Sequence, residues 1–143
     1  MEVAELVARE TIRETLARYA QYADSGRFAE LARLFTPDGV LEIHGGERLA
    51  GRDAICAFLE HTKRDRAAGA TPAYIRHHVS SLVIELTSPH TALGRSYFLA
   101  ITDRGPDHWG RYRDELVANG SAWLFAHRLV RLDGRAGTTS ATR

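Results

Sequence analysis

The sequence predicts an α+β fold in which three N-terminal helices pack in the concave face of a curved, mostly antiparallel sheet. Three observations lead there. The first half of the chain carries apolar residues at steps of three and four, the period of an amphipathic helix. The second half is a series of four segments rich in β-branched, aromatic and aliphatic residues, joined by turns short enough to require antiparallel pairing. The length, 143 residues, suits one domain with a core large enough to stand without disulfides or metals. Helices segregated from strands in this way collect on one face of the sheet.

Each element has its own signal. From Glu5 to Ala23, the apolar residues Leu6, Ile12, Leu16, Ala20 and Ala23 recur on one helical face, with Arg9, Glu10, Arg13 and Glu14 between them. Asp24-Ser25-Gly26 stops that helix. A second helix, Arg27 to Phe35, presents Phe28, Leu31, Leu34 and Phe35, and Thr36-Pro37-Asp38-Gly39 follows as a turn signal. Val40 to His44 reads as a short strand, Gly45-Gly46 as a turn, and Glu47 to Leu49 as a second short strand. A third helix runs from Ala54 to Ala67, and Gly69 to Pro72 is a loop. Strands are then expected over Arg76–Leu86, Thr91–Thr102, Trp109–Val117 and Ala122–Leu132. Asp103 to His108 is expected as a loop around Gly105-Pro106, and Ala118-Asn119-Gly120 as a hairpin turn. The domain is placed at residues 1–134, with fraying from Asp133 and a flexible tail over 135–143. A long sheet curved around helices leaves a cone-shaped hollow, the default place for a small ligand.

Composition narrows the function classes. Nineteen basic residues against eighteen acidic ones give a net charge of +1. They are interleaved along the chain, whereas a nucleic-acid binder shows a one-sided basic excess, so no nucleic-acid partner is expected. No apolar run is long enough for a membrane-spanning helix, and no membrane partner is expected. The opening MEVAELVARE lacks the apolar centre of a signal peptide, and the single cysteine, Cys56, cannot form an internal disulfide. Both features suit a cytoplasmic protein. Cys56 sits beside Ile55 and Phe58 and reads as an inert buried thiol.

Several stretches together resemble a known family. YAQYADSGRFAELARLFTPDGVLEI, GRDAI, RHHVSS, GPDHWGRYRDELV and AWLFAHRLVRLDG, in this order, are similar to the SnoaL-like branch of the nuclear transport factor 2-like superfamily. The resemblance spans about Thr11 to Gly134 and implies a cystatin-like cone, or α+β barrel. It also implies a cofactor-independent dehydratase, isomerase or polyketide-cyclase chemistry on a small hydrophobic, polycyclic or carbonyl-containing molecule, and a homodimer formed through the outer sheet face. Scytalone dehydratase, the bile-acid dehydratases and a lindane dehydrochlorinase share an Asp at the end of the first helix and a His at the start of the third strand. The matching positions are Asp24 and His77. Tyr19 matches a Tyr that the bile-acid dehydratases use. The further His of scytalone dehydratase has no counterpart in GRSYFLAIT on the next strand. The same fold also serves noncatalytic binding modules and dioxygenase small subunits, which remain alternatives.

An Asp–His pair makes chemical sense as a base. The carboxylate accepts the ring N–H, fixes the tautomer and stabilises the imidazolium that forms on proton abstraction. Tyr19 or Tyr22 is then placed to hydrogen-bond a substrate oxygen. Taken alone, Asp24 reads first as a cap for the helix beginning near Arg27; the resemblance moves it to the site. His77 and His78 are neighbours, so a regular strand sends them to opposite faces, and the resemblance selects His77. Tyr112 shares a face with Asp114 and is a candidate to line the pocket, while Arg111, Arg113 and Glu115 on the other face suit cross-strand pairing. Trp109, beside His108, is a candidate at the pocket mouth. His127 alternates with Trp123 and Phe125 and so shares their face, where it is either a pocket residue or a packed one. No spacing suits a metal, and no glycine pattern suits a nucleotide, so neither metal nor cofactor is expected.

Overall fold

The computed structural model describes residues 1–67 and 72–137. The Gly69–Thr71 part of the expected loop and residues 138–143 of the expected tail lie outside the described residues. The elements are helices α1 (Val3–Ser25), α2 (Phe28–Ala32) and α3 (Arg52–Ala67), and strands β1 (Phe35–Ile43), β2 (Arg48–Ala50), β3 (Ile75–Ser88), β4 (Thr91–Thr102), β5 (Gly105–Asn119) and β6 (Ala122–Arg135). No helix among the described residues is long and apolar enough to cross a membrane.

α1 buries Ile12, Leu16 and Ala20 of the anticipated stripe, together with Tyr19, whereas Leu6 near its start is exposed and Ala23 only half-buried. It stops where Gly26 takes φ 72°, a left-handed conformation that a side chain would strain, and Arg27 N–H donates to the Tyr22 carbonyl. α2 is shorter than the expected Arg27–Phe35. Phe35 is claimed by the sheet instead, pairing with Phe125 of β6. Thr36 to Gly39 therefore lies inside β1 as an irregular stretch between Phe35 and Val40, not as a turn before a strand. At the other end, β5 starts at Gly105, so the expected Asp103–His108 loop is reduced to a tight turn, and β6 continues past Leu132 to Arg135. Asp133, expected to fray, is held by Arg111 across the strands at 3.0 Å.

The six strands form one open sheet in the order β2-β1-β6-β5-β4-β3. Every neighbouring pair is antiparallel except β1–β6, which is parallel. α1 lies across the inner face against β3 and β6. The core gathers between them, around Ile12, Leu31, Phe35, Ile55, Leu116 and Phe125. One extra residue interrupts the ladder near Ser81 in β3, at Asp107 in β5, and at Ala126 and Asp133 in β6. Such bulges sharpen the twist and bend long strands around a helix.

The bulge at Ala126 decides what faces inward. Leu116 pairs with Phe125, but Glu115 pairs with His127, so alternation along β6 shifts by one residue. His127 turns to the outer face and Arg128 turns inward. Arg128 is fully buried, with its guanidinium 4.2 Å from the Tyr19 ring, 3.7 Å from Tyr112 and 4.5 Å from Phe125. The centre of the expected cone-shaped hollow is therefore filled by one long side chain and three rings. Open concavities occur on the outer face: one of about 520 Å³ between Tyr97, Leu99, Trp109, Arg111 and Asp133, and one of about 460 Å³ that includes Val83, Leu93, Arg113 and His127.

Candidate active site

Asp24 stands in the last turn of α1, and His77 is the third residue of β3. His77 pairs with Ala100 on the inward row of β4, whereas His78 is exposed on the opposite face. The two side chains that the sequence places 53 positions apart meet: His77 Nδ1 lies 2.6 Å from Asp24 Oδ1. The main-chain N–H of His77 also donates to Asp24 Oδ2 at 3.0 Å. One carboxylate thus holds both the backbone and the ring of the same residue. Because Asp24 is an acceptor in both contacts, Nδ1 carries the proton and Nε2 presents its lone pair away from Asp24. The side chains keep 16% and 13% exposure, so the pair sits at the rim of the packed interior. Asp24 makes no cap for α2, whose N-cap position, Arg27, has no side-chain hydrogen bond.

A row of rings leads inward from this rim. The Phe98 ring is 6.4 Å from His77 and stacks on Tyr112 at 4.6 Å, and Tyr112 meets Tyr19 edge-on at 6.0 Å. Burial raises the pKa of both phenols above the ordinary range, so Tyr19 and Tyr112 stay protonated as donors; for Tyr112 the neighbouring Tyr19 and the charges of Asp114 and Asp24 act the same way, and Arg128 opposes them. Behind them Arg128 holds Asp114 by two bonds, Nε to Oδ1 at 2.8 Å and Nη2 to Oδ2 at 3.0 Å. Burial pushes the Asp114 carboxyl up against the pull of Arg128. Burial also opposes the Arg128 charge, but the charge and hydrogen bonds of Asp114 outweigh it, and the guanidinium stays charged. Arg128 Nη1 and Ser96 Oγ are buried without a hydrogen-bond partner.

A second imidazole completes the rim. His108, inward on β5, places its ring 5.7 Å from that of His77 and 5.9 Å from Phe98. Its Nδ1 lies 2.7 Å from Asp107 Oδ2, and Arg66 of α3 reaches the same carboxylate at 3.2 Å. Burial lowers the His108 pKa; the hydrogen bond that its ring donates to Asp107 resists this, and the nearby His77 and Arg66 add to the lowering. The Asp107 carboxyl is in turn held down, first by its bond to His108. Among the described residues, no group of three or more side chains is arranged to hold a metal ion.

Comparison with known proteins agrees with this architecture. The pattern of the SnoaL-like domain matches residues 4–129. The chain belongs to the SnoaL-like domain family. Among solved structures, it is similar to a protein of Novosphingobium aromaticivorans provisionally named a scytalone dehydratase, at 27% identity and a TM-score of 0.81, over 100% of this chain and 94% of that one. A nuclear transport factor 2-like protein with a cystatin-like fold, also from Novosphingobium aromaticivorans, matches at 26% identity and a TM-score of 0.76, over 94% and 93% of the two chains. A Catenulispora acidiphila protein solved in complex with S-DNPA matches at 28% identity and a TM-score of 0.76, over 88% and 93%. No curated protein sequence matches.

Within this SnoaL-like domain, Asp24, His77, Tyr19 and Tyr112 stand in one connected inner-face group, and the other sequence candidates do not join it. Tyr22 is half-buried, and its hydroxyl lies 3.4 Å from Arg18 on the exposed side of α1. Trp109 faces outward beside Tyr97, because Gly110 takes the inward position next to it. His127, put on the face of Trp123 and Phe125 by simple alternation, is carried outward by the Ala126 bulge and bonds Glu42 at 3.1 Å. Sequence reasoning missed Arg128 with Asp114, and it left His108 in a loop. The available signals were an Asp–Arg pair on adjacent strands and a Pro at a strand start, where its missing N–H is tolerated.

Proposed function

We propose that this SnoaL-like protein is a cofactor-independent acid–base enzyme of the dehydratase, isomerase or cyclase type, acting on a small hydrophobic, carbonyl-containing molecule. The observation that carries the reading is the 2.6 Å contact between His77 Nδ1 and a carboxylate that also anchors the His77 main chain. In this reading His77 Nε2 removes a proton next to the substrate carbonyl, and Asp24 stabilises the resulting imidazolium. The charge that develops on the carbonyl oxygen is met by a phenol donor, Tyr19 or Tyr112, which the substrate reaches by parting the packed rings, since both are buried. The rings of Phe98 and Tyr112 supply the apolar wall.

The filled centre of the inner face supports a second reading, a noncatalytic binding module whose contacts are made elsewhere. One experiment separates the two. The protein, His77→Ala and Asp24→Ala are incubated in D2O with a panel of cyclic and polycyclic ketones, and deuterium entry beside the carbonyl is followed by NMR. A loss of about 10²–10⁴-fold in both variants, with the fold kept by circular dichroism, is the expected result. Exchange that persists in both variants removes the acid–base reading and leaves the binding module.

A further inference from the structure

Resting on the acid–base reading, we propose that His108 is a second catalytic residue, which exchanges a proton with the leaving or receiving atom of the substrate while His77 works on the carbon. Three observations carry this. First, His77, Ala100 and His108 are paired neighbours in one inward row across β3, β4 and β5. Strands two apart are separated by about 10 Å, yet the imidazoles stand 5.7 Å apart, so both lean over the small Ala100 between them. Second, each ring is held at Nδ1 by its own carboxylate, Asp24 from α1 and Asp107 from the bulge in β5. Neither Nε2 has a hydrogen-bond partner among the described residues, and each side chain keeps 16% exposure at the rim, where a substrate can meet it. Third, Arg66 of α3 reaches the Asp107 carboxylate at 3.2 Å, so the group that holds His108 Nδ1 is itself paired.

Like charges this close repel, so a proton gained by one ring disfavours a second proton on the other. His77 takes the proton from the substrate carbon; that proton passes through a bridging water to His108, which gives it to the departing hydroxyl. One C–H and one C–O bond break, a C=C and an O–H bond form, and water leaves. The proton leaves in that water, and both rings end as they began. The same two rings move a proton from one carbon to another when no leaving group is present. Because both act from one side of the sheet, the substrate presents its acidic C–H and its leaving oxygen on the same face.

The test uses the intact protein with His77→Gln, His108→Gln and Asp107→Asn, the last keeping an acceptor for the ring. Long-range ¹H–¹⁵N spectra follow both imidazoles against pH, with Asp24, Asp107 and Arg66 as the charged groups facing them. The His108 midpoint is expected to rise in His77→Gln, because a like charge has been removed. A His108 midpoint indifferent to His77 overturns the proposal, and this readout needs no substrate. Elimination of water from 3-hydroxycyclohexanone and deuterium exchange into cyclohexanone then separate the roles. His108→Gln is expected to lose about 10²–10⁴-fold in elimination, and less in exchange, and Asp107→Asn to move the pH profile of elimination. Elimination at the parent rate in His108→Gln overturns His108 alone, whereas exchange that survives in His77→Gln overturns the acid–base reading on which it rests.

Discussion

Arg128 has no exposure to water, and a guanidinium there is tolerable only because Asp114 meets it with two aligned bonds and three rings present their faces to it. Removing one partner strands the other charge in the interior. Arg128→Ala is therefore expected to lower stability by about 3–5 kcal/mol in urea denaturation, whereas Arg128→Met combined with Asp114→Leu recovers most of that loss. A double variant as unstable as the single one would mean that the pair does more than neutralise itself. His108 adds a pH effect with a definite sign. Its folded pKa is depressed below the 6.5 of the free side chain, so below pH 6.5 the unfolded chain binds the extra proton more readily. Its contribution is fully present above 6.5 and is lost as the pH falls through the window below it. His108→Gln should flatten this part of the stability curve, read as urea midpoints at about pH 7 and about pH 5.5. These residues were unequally legible. Asp24 and His77 were chosen by family resemblance, since spacing alone left Asp24 as a cap and could not rank His77 above His78. Arg128 was invisible because strict alternation puts it outside.

Bulges are why element-level counting stops short of the site. The strands themselves were readable from β-rich segments and turns, and β4 was anticipated over the range it occupies. A single extra residue inverts every side chain beyond it, and neither the bulge at Ala126 nor the one at Asp107 announces itself with glycine. Deleting Ala126 removes the extra residue and leaves Phe125, His127 and Arg128 opposite Leu116, Glu115 and Asp114 in regular alternation, so His127 stays outward and Arg128 stays inward against Asp114. The expected outcome is a chain that still melts cooperatively; a deletion variant that no longer does would mean that the bend made by the bulge, and not only the facing of Arg128, holds β6 in the sheet. Gly110 is the second sensitive point. A Cβ there would run into the Arg131 carbonyl of the adjoining strand and sit 2.9 Å from the Phe98 ring. Backbone cannot yield as a side-chain tip does, so Gly110→Ala is expected to open the β5–β6 ladder beside the ring wall. The measurement is hydrogen exchange: faster exchange confined to residues near Trp109 and Leu132 supports this local opening, and unchanged protection refutes it.

At the scale of the molecule, the α+β class, the helices on the concave face and the mostly antiparallel sheet were all legible, because they depend on periodicity and turn length. The parallel β1–β6 contact was not, since it joins segments far apart in sequence and leaves no local mark. The outer face poses a different question. Val83, Leu93, Tyr97 and Trp109 stand 53%, 42%, 56% and 37% exposed on one side of the sheet, more apolar surface than scattered single residues. With a net charge of only +1, two copies approach without appreciable repulsion. Among the charged neighbours on the same face, Arg95 lies opposite Arg113 and Glu115 lies along the strand from Arg113, so two-fold pairing of the face with itself can set the acid of one copy against the basic pair of the other. The homodimer implied by the family resemblance is therefore expected to use this surface. Sedimentation over a concentration series should give a dimer for the parent chain and a monomer for Tyr97→Glu combined with Leu93→Glu, with circular dichroism unchanged because both side chains point away from the core. A parent chain that sediments as a monomer throughout, or a variant that remains dimeric, would move the interface away from this face.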